Sequence, residues 1–485
     1  MNEDIRTLEP NALWNNFADL NAVPRGSKKE ERVIAFMVDF GKKLGLETIV
    51  DPIQNVIIKK PATKGMENRK TIVLQSHLDM VHQKNEDTNF DFDKEGIKMI
   101  IDGDWVKADG TTLGADNGLG VAAIMSILAS NDISHPAIEA LFTIDEETGM
   151  TGAKGLQGGY LEGEILLNLD TEEDEELDIG CAGGIDVTAT KKYEEEVLSG
   201  NCKGFNISVK GLRGGHSGMD IHRGFGNANK IMNEIIEKTQ EFINIAEIKG
   251  GSLRNAIPRE SFASVVCETG NAGKFIAKAE EIAHIIKERF KEIEPNLEFS
   301  FDTEVCPQKV MNKTEQVKLI NAINNAHNGV FKMSEDMDDL VEASNNIAKI
   351  IVNNGNIQID CLTRSSAEDS KMEVANLLKG AFENEEYTVE FSGSYPGWQP
   401  NPNSPILEVM ENLYEKIFDK KANVVACHAG LECGILGTNY PEMDMISFGP
   451  TIKGAHSPDE RANIPSTQKF WKYLLEILNN IPEKA

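Results

Sequence analysis

The order of apolar and polar positions predicts alternating helices and strands in roughly the first third of the chain. Apolar residues recur at helical spacing in some segments, and short apolar runs typical of buried strands separate these segments. The predicted elements are the helices 30–46 and 119–130 and the strands 55–58, 71–75, 138–144 and 164–169. This alternation favours an α/β sheet, in which functional residues lie at strand ends and in the loops that follow them.

The pattern changes near residue 187 and changes back near residue 395. Strands and long helices succeed each other twice in between, which suggests an α+β domain with two related halves, although no residue-level repeat is visible. The elements predicted there are the strands 205–210, 261–268, 349–352, 357–362 and 387–391 and the helices 227–243, 273–293, 315–327 and 367–382.

A proline-rich segment at 394–405 indicates a linker that returns the chain to the first domain. It is followed by the predicted strands 423–426 and 444–448 and the helix 467–481. We therefore expect an α/β domain formed by residues 1–186 and 396–485, interrupted by an inserted α+β domain at 187–395.

Charge excludes two classes of partner. The chain has 49 Lys and Arg against 78 Asp and Glu, a formal net charge of -29, which repels nucleic acid and anionic membrane surfaces alike. Solubility explains most of this acid, but a minority of the carboxylates is expected inside, bound to cations. No basic segment followed by an apolar stretch opens the chain, and no apolar run approaches the ~20 residues that span a bilayer. We therefore expect a cytoplasmic protein.

Nucleotide-binding motifs are incomplete. The segment 449–454 begins like a P-loop but continues with Ala455 and His456 where Lys and Ser or Thr are required, and no GxGxxG opens a helix after a strand. The sequence therefore does not favour ATP or NAD binding.

Candidate metal ligands follow several predicted strands. His77 and Asp79 come directly after the strand 71–75, and Asp79 lies two positions on, where it can orient the imidazole of His77. Asp170 follows the strand 164–169, and His456 lies in a loop after the strand 444–448. An HxD pair alone is more typical of a surface loop, so the context of these residues carries the prediction.

Two acidic segments complete the set. Asp116 lies in a glycine-rich stretch before a helix, where an aspartate also serves as an ordinary helix-start signal. Asp145, Glu146 and Glu147 end the strand 138–144, and their alternative interpretation is a solvated charge run. With one carboxylate each from Asp116, the segment 145–147 and Asp170, the five positions supply two imidazoles and three carboxylates, a set that suits Zn²⁺ and is compatible with Co²⁺ or Mn²⁺. Five ligands are too many for one catalytic zinc, so two metals that share a carboxylate fit better.

Five motifs in order, SHLDMV, GADNG, DEETGMTG, NLD and GAHSPDE, resemble the dizinc metallopeptidase family of aminoacylases, glutamate carboxypeptidases and cytosolic dipeptidases. The resemblance covers nearly the whole chain and is strongest to the dipeptidases. It implies a discontinuous exopeptidase catalytic domain, with a mixed sheet flanked by helices, and an inserted lid domain. It also implies a cis peptide bond after Asp116.

The resemblance assigns a role to each candidate residue. It makes Asp116 the ligand that bridges two zinc ions. It makes His77 and Asp170 the other ligands of one ion, and Glu147 and His456 those of the second. Glu146 becomes the general base, and Asp79 orients His77. In the lid, it implies that His216 stabilises an oxyanion and that Asn255 and Arg364 contact the substrate. The alternatives for these lid residues are a surface-loop histidine, a turn residue and a surface charge.

The implied reaction is metal-dependent hydrolysis of dipeptides with broad specificity, including Xaa-His. The alternatives are an N-acyl amino acid deacylase or tripeptidase on the same scaffold, and a metal-dependent binding protein without catalysis, against which the presence of Asp79 and Glu146 argues. The long lid either forms a homodimer or supplies internally what a partner subunit provides in relatives. His428 and Glu432, at i,i+4 spacing, resemble a helical metal pair, but we favour a position in the pocket wall, near the amino group of the substrate.

Overall fold

A computed structural model describes residues 2–198, 200–335 and 337–484. Its strands are β1 (Glu47–Val50), β2 (Val56–Lys60), β3 (Ile72–His77), β4 (Met99–Asp102), β5 (Trp105–Ala108), β6 (Ile138–Thr143), β7 (Ile165–Asn168), β8 (Glu176–Cys181), β9 (Gly183–Lys192), β10 (Glu195–Val197), β11 (Cys202–Lys210), β12 (Ile243–Gly250), β13 (Ser261–Glu268), β14 (Glu298–Glu304), β15 (Lys309–Met311), β16 (Gly329–Met333), β17 (Val341–Asn353), β18 (Asn356–Ser365), β19 (Thr388–Tyr395), β20 (Asn423–Cys427), β21 (Asp444–Ser447), β22 (Ile452–Lys453) and β23 (Arg461–Asn463).

The helices are α1 (Asn11–Leu20), α2 (Glu31–Lys43), α3 (Ala115–Ala129), α4 (Glu146–Gly149), α5 (Thr151–Gly155), α6 (Ala228–Thr239), α7 (Ala272–Phe290), α8 (Lys313–Asn325), α9 (Glu368–Glu383), α10 (Pro405–Phe418), α11 (Glu432–Asn439) and α12 (Ile464–Asn479). The first turn of α3 is not regular, because Asp116 and Asn117 have non-helical backbone angles. None of the helices in the described part is both long and apolar enough to cross a membrane.

The chain divides into two compact units. Unit 1 contains the described residues up to Gly180, the segment Pro400–Ala426 and the residues from Leu431 onward, and unit 2 contains the described residues of Cys181–Gln399 together with Cys427–Gly430. The boundaries expected from the sequence, after residues 186 and 395, fall inside β9 and at the last residue of β19.

Unit 1 is built on an eight-stranded mixed sheet with the order β1-β2-β6-β3-β7-β21-β8-β20. The four central strands β6, β3, β7 and β21 are parallel, and the pairs β1–β2, β2–β6 and β21–β8 are antiparallel. Every residue of β3, β6 and β7 is buried, as the continuous apolar runs of these strands require in a sheet covered on both faces. The predicted α/β class with a mixed sheet is confirmed.

Unit 1 also contains a smaller, four-stranded sheet with the order β22-β23-β5-β4. Its strands β22 and β23 form an antiparallel pair, with Ile452 opposite Ala462. The loop between them contains both His456 and Glu460 and is therefore held at both ends.

The main sheet of unit 2 has the order β14-β11-β13-β12-β17-β18-β9-β19, with β16 paired to β17. One half, β11-α6-β12-β13-α7-β14, is contiguous in the chain and follows a β-α-β-β-α-β order. The other half has the same arrangement, with β9 as its first strand, then α8, β17, β18, α9 and β19. The halves meet where Ile248 of β12 pairs with Val352 of β17. The topology thus contains the two related halves that the succession of elements suggested.

Candidate dinuclear metal centre

The predicted ligands of unit 1 come together at the carboxyl ends of its parallel strands. His77 is the last residue of β3, and Asp170 lies two positions after the last residue of β7. Asp116 lies in the irregular first turn of α3, Glu147 lies in the short helix α4 that follows β6, and His456 lies in the β22–β23 loop. Strand ends and adjoining loops are the positions where an α/β sheet carries its functional groups.

One group of potential ligands consists of His77, Asp116 and Asp170, whose ligand atoms all lie within 4.8 Å of one another. The Nε2 atom of His77 lies 3.1 Å from Oδ1 of Asp116 and 3.5 Å from Oδ1 of Asp170. The side chains of His77 and Asp170 are only 1% and 8% exposed. This group is therefore largely shielded from water.

The second group consists of Asp116, Glu147 and His456. The Nε2 atom of His456 lies 3.2 Å from Oδ2 of Asp116 and 2.8 Å from Oε2 of Glu147. Asp116 thus points one carboxylate oxygen at each histidine and belongs to both groups. The His456 ring is 56% exposed, so the second group is open to solvent at this histidine. The peptide bond between Asp116 and Asn117 is cis, as the resemblance implied.

The two groups concentrate negative charge in a buried place. Burial raises the pKa values of Glu147 and Asp170 above their ordinary range. Burial alone would lower the pKa of His77. The charge and hydrogen bonds of the neighbouring carboxylates outweigh burial and raise this pKa well above its ordinary value. Hydrogen bonds to Asp116 and Glu147 raise the pKa of His456 to about 11. Divalent cations stabilise buried carboxylates that repel one another in this way.

The side chains fit a pair of metal ions on three observations. The donor set is imidazole nitrogen and carboxylate oxygen, which suits zinc and similar divalent ions. Asp116 offers one oxygen to each group. Finally, Oδ1 of Asp170 is buried and accepts no hydrogen bond from the residues that the structure describes, a costly state for a carboxylate oxygen unless a cation is its partner.

Glu146 lies beside the two groups and belongs to neither of them. Asp145 has a left-handed backbone conformation with φ of 50°, an uncommon one for a residue other than glycine, and it turns the chain at the end of β6. Burial raises the pKa of Glu146 well above its ordinary value, and the charges of Asp170, Glu432 and Glu147 act in the same direction. The solvated charge run is therefore the wrong interpretation of 145–147, because Asp145 is 4% exposed and the Glu147 side chain 3% exposed.

Asp79 connects the His77 loop to the glutamates. It is fully buried, and its Oδ1 lies 3.3 Å from Nδ1 of His77. The same carboxylate accepts hydrogen bonds from the backbone N–H groups of Glu146, at 3.0 Å, and Glu147, at 3.3 Å, and from the Ser27 hydroxyl, at 2.8 Å. Burial opposes its ionisation, but the hydrogen bond and charge of His77 lower the pKa of Asp79. It is thus placed to fix the His77 ring and the turn that carries Glu146.

Two buried charged residues near the centre were not predicted from the sequence. Glu460, 2% exposed, accepts hydrogen bonds from four consecutive backbone N–H groups, those of residues 113–116. Arg25, fully buried, donates to the carbonyl oxygens of Leu78, Asp79 and Gly114. Together they tie down the Asp116 loop and join it to the segment after His77. Glu460 is the final residue of the motif GAHSPDE. Its role could not be predicted from that motif, because its partners lie about 345 positions away in the chain.

We expect Glu460→Gln to weaken metal binding by about 10- to 100-fold, the usual effect of removing a residue that orients ligands. A glutamine presents one NH₂ group to the backbone N–H donors and so loses part of the set that holds Asp116. The metal dissociation constant, measured by competition with a chromophoric chelator, checks this. Glu139→Gln is the control, because Glu139 accepts backbone N–H bonds from Glu162 and Gly163 near the start of β6. An equal loss of affinity in both variants would contradict the prediction.

The predicted lid residues all lie in unit 2. Arg364 is 5% exposed, so the alternative of a surface charge is wrong; its Nη1 donates to the Tyr395 hydroxyl at 3.0 Å. Asn255 is an exposed turn residue, and its carbonyl oxygen accepts a hydrogen bond from the Ser217 N–H at 2.8 Å. His216 is half-buried in the same neighbourhood and pairs with Ala256 in an isolated β-bridge.

The tautomer of His216 follows from its contacts. Its Nδ1 accepts hydrogen bonds from the backbone N–H groups of Gly218, at 3.3 Å, and Met219, at 3.1 Å, so the ring hydrogen is on Nε2. Burial, assisted by the charge of Arg364, lowers the pKa of His216 to about 4, which keeps the ring neutral at pH 7. Nε2 of His216 and Nη2 of Arg364 lie 3.4 Å apart. Both are donors, and an anionic oxygen would satisfy both.

His428 and Glu432 do not form the helical pair that their spacing suggested. Helix α11 begins at Glu432, and His428 precedes it and belongs to unit 2. His428 bonds through Nε2 to the Ser344 hydroxyl at 2.8 Å. Glu432 is fully buried, with Oε2 bonded to Gln75 and Thr143. Neither residue belongs to a group of potential ligands in the described part of the chain.

The chain is similar to several known proteins. The chain is 41% identical over 483 residues to the cytosol non-specific dipeptidase of Escherichia coli, covering 99% of this chain and 100% of the relative. A crystal structure of aminoacylhistidine dipeptidase from Vibrio alginolyticus is 43% identical, with a TM-score of 0.92 over 99% of both chains. A tripeptidase of Staphylococcus aureus shares the fold alone, with 16% identity and a TM-score of 0.57 over 98% of this chain and 99% of that chain. Residues 73–480 match peptidase family M20/M25/M40, and the chain therefore belongs to this family of peptide-bond hydrolases.

Proposed function

We propose that the protein is a dinuclear metal dipeptidase of broad specificity that accepts Xaa-His among its substrates. One observation carries the proposal: two ligand groups share the carboxylate of Asp116, and Glu146 lies beside them without belonging to either. The names of the Escherichia coli and Vibrio alginolyticus relatives, a non-specific dipeptidase and an aminoacylhistidine dipeptidase, support the same substrate class.

The ligand assignment follows the two groups. His77 and Asp170 would hold one ion, Glu147 and His456 the other, and Asp116 would bridge them. We propose zinc for both positions, with Co²⁺ or Mn²⁺ as alternatives, on the basis of the nitrogen and oxygen donors. When bound, such a pair supplies Lewis-acid chemistry, which polarises the scissile carbonyl and lowers the pKa of water at the centre.

The remaining residues move and place protons. The Glu146 carboxylate accepts a proton from the attacking water and delivers it to the nitrogen of the departing amine. Asp79 accepts a hydrogen bond from Nδ1 of His77, which leaves Nε2 directed at Asp116. Asp79 also holds the backbone N–H of Glu146, so it orients the general base as well as the histidine.

We assign substrate contacts to three residues of unit 2. His216 donates from Nε2 to the oxyanion that develops on the attacked carbonyl, a role that suits its neutral, fixed tautomer. Arg364 binds the terminal carboxylate of the dipeptide, and its burial strengthens that interaction. Asn255 adds a contact from the neighbouring turn. Length selection follows if the substrate is short enough for both of its charged ends to be held at once.

Arg364→Met is expected to lower kcat/KM for free dipeptides by roughly 10- to 150-fold, the equivalent of about 1.5–3 kcal/mol for a hydrogen bond to a charged group. Dipeptide amides, which lack the carboxylate, should be poor substrates of the wild type and should lose little further in the variant. Steady-state kinetics on both series measures this. Arg289→Met, at an arginine of α7 that is 49% exposed and paired with Glu234, is the control. A similar loss on dipeptides and their amides would contradict the carboxylate role.

One substrate panel on the zinc-reconstituted protein separates the candidate functions. We expect hydrolysis of dipeptides, abolished by a chelator and restored by zinc, with little activity on tripeptides or N-acetyl amino acids. Cleavage of N-acetyl amino acids in preference to dipeptides would indicate a deacylase, and equal cleavage of tripeptides would remove the proposed length selection. No hydrolysis with metal bound would indicate a binding protein.

A cytoplasmic location is part of the same proposal, supported by the name of the Escherichia coli relative. A homodimer stays a prediction from the length of the insertion and is tested by the molar mass of the metal-loaded protein in solution.

A further inference from the structure

Six buried polar side chains form a continuous chain of contacts across the sheet of unit 1. We call them the polar row, and in order of contact they are Glu432, Gln75, Asn168, Ser447, Thr171 and Asp178. Each is at most 7% exposed. Four of the six are register partners on the adjacent strands β3, β7, β21 and β8, and paired residues project on the same face of a sheet.

The first part of the row starts at Glu432, the first residue of α11. Its Oε2 accepts hydrogen bonds from Gln75 Nε2 and from the Thr143 hydroxyl, both at 2.6 Å. The other side of the Gln75 amide contacts the Asn168 amide, with 2.5 Å between Oε1 and Nδ2. Oε1 of Glu432 is buried and has no hydrogen-bond partner within the described ranges of the chain.

The second part of the row ends at Asp178. The Asn168 amide contacts the Ser447 hydroxyl. The Ser447 Oγ lies 2.8 Å from Oγ1 of Thr171, which in turn lies 2.7 Å from Oδ2 of Asp178. The row therefore has a carboxyl group at each end and only amides and hydroxyls between them.

Counting hydrogens constrains the charge of the two ends. Five contacts join the six groups, and each contact needs one hydrogen. An amide donates from one side and accepts on the other, and a hydroxyl has a single hydrogen, so the four inner groups supply four hydrogens along the row. Turning an amide over reverses its direction without changing this number. The fifth hydrogen must come from one of the carboxyl groups.

We propose that Asp178 and Glu432 share one proton in the folded protein at weakly acidic pH, so that the polar row then has one protonated and one ionised end. If both ends were ionised, two oxygen atoms in the row would face each other at hydrogen-bond distance without a hydrogen. If both were protonated, one hydrogen would have no acceptor along the row. Both alternatives are costly in a buried place.

The surroundings of both ends favour the retention of a proton. Burial raises the pKa of Asp178 to about 7, with Glu176 the charged group that adds to the effect. Burial likewise raises the pKa of Glu432 to about 7; the charges of Asp170 and Asp79 act in the same direction, and the Thr143 hydrogen bond and the charge of His77 oppose them.

The row also has a positioning role. Gln75 lies two residues before His77 on β3, and Asn168 ends β7 two residues before Asp170, so each row member precedes a proposed ligand by about 7 Å of extended chain. A hydrogen-bonded link between Gln75 and Asn168 fixes the spacing of the strands that carry His77 and Asp170. Asp178 and Glu432 act through these side chains and are positioning residues.

The test is the infrared carbonyl band of protonated carboxyl groups in the metal-loaded protein at pH 6, in wild type, Asp178→Asn, Glu432→Gln and the double variant. An amide at either end supplies the fifth hydrogen, so the opposite carboxyl ionises. Each single variant should therefore lose the same band intensity, equal to one carboxyl per chain, and the double variant should lose no more. Additive losses would show two protons, and no loss in any variant would show none; either result overturns the proposal.

Two controls keep the test decisive. Glu139→Gln changes a buried carboxylate that accepts hydrogen bonds from Lys59 and two backbone N–H groups, and it should leave the band unchanged. The second control is wild-type protein labelled with ¹³C in aspartate alone or in glutamate alone. The label shifts the band of a protonated carboxyl group of that residue type, so this measurement does not depend on the folding of a variant. A protonated-carboxyl band that shifts in neither preparation would also overturn the proposal.

The shared proton sets the sign of a pH effect on stability. Unfolded Asp and Glu release their protons near pH 4, whereas the folded row keeps one until about pH 7. Because the raised pKa belongs to the folded state, the shared proton adds to the free energy of unfolding. This contribution is fully present below about pH 4 and is lost as the pH rises to about 7. The urea midpoint of wild type should therefore fall relative to that of Asp178→Asn across this window and then level off. A pH-independent difference would contradict the shared proton.

Discussion

Glu146→Gln is expected to lose about 10²–10⁴-fold in kcat, the usual contribution of a positioned general base, while the protein keeps its metal. Glutamine has nearly the shape of glutamate but cannot accept the proton of the attacking water. The backbone N–H of residue 146 still bonds to Asp79, and the ligand groups do not include this side chain. Single-turnover and steady-state kinetics, together with the metal content of the same preparation, measure the effect.

The adjacent position supplies the sharpest comparison. Glu147→Gln weakens a ligand that pairs with His456 at 2.8 Å, so it should lose metal as well as activity. Glu164→Gln, at a side chain that is 50% exposed, should change neither. Near-normal turnover in Glu146→Gln would assign the general base to another residue, and loss of metal in that variant would make Glu146 a ligand.

Asp116→Ala is expected to reduce the metal content from two ions per chain to nearly none. Asp116 is common to both ligand groups and points one oxygen at each histidine. His77→Ala and His456→Ala each disturb one group, so each should retain about one ion. Elemental analysis after gel filtration counts the ions directly.

The control for this series is Asp109→Ala, at a side chain that is 51% exposed, which should keep both ions. Activity should be lost in all three ligand variants, because a lone ion leaves one half of the centre without its partner. A variant of Asp116 that retains one tightly bound ion would show that the groups are independent and that the bridge is not required.

Most parts of the centre that the sequence predicted lie at a strand end recognisable from a local apolar run. His77, Glu146, Glu147 and Asp170 satisfy this condition, whereas Asp116 lies in the first turn of the apolar helix α3, and the motifs of all five are continuous in the chain. The strand register then brings them together, since the carboxyl ends of parallel strands meet at one edge. Local pattern was therefore sufficient to predict which residues come together, and their ligand and catalytic roles stay proposals.

The supporting residues could not be predicted in this way. Glu460 is one acid among many in the sequence, and only the folded loop brings the N–H groups of residues 113–116 to it. Arg25 lies in a short PRGS segment without periodicity, and its acceptors are carbonyl oxygens, which a sequence does not distinguish. The polar row depends on register between β7 and β21, which no local signal encodes.

The predicted boundaries of helices and strands differ from the observed ones where one sequence pattern runs into another. The helix predicted at 227–243 ends at Thr239, because Ile243 and Ile245 already alternate with polar residues as the start of β12. The last helix begins at Ile464 rather than 467, because Asn463 caps it through a hydrogen bond from the Ser466 N–H and Pro465 fits its first turn. Strand β9 was missed because the glycines at its start resemble a loop.

The position of β9 has a consequence for how the chain folds during synthesis. The first half of unit 2, from β11 to β14, is contiguous and can form as soon as it leaves the ribosome. The second half must wait for its own strands. Strand β9 is made before the first half, whereas its partners β18 and β19 are made after the first half. The sheet of unit 1 waits longer still, since Asn168 and Ser447 are 279 positions apart. During translation β7 therefore has an unpaired edge until the C-terminal segment emerges, and this interval is when the nascent chain is most exposed to aggregation and to chaperones.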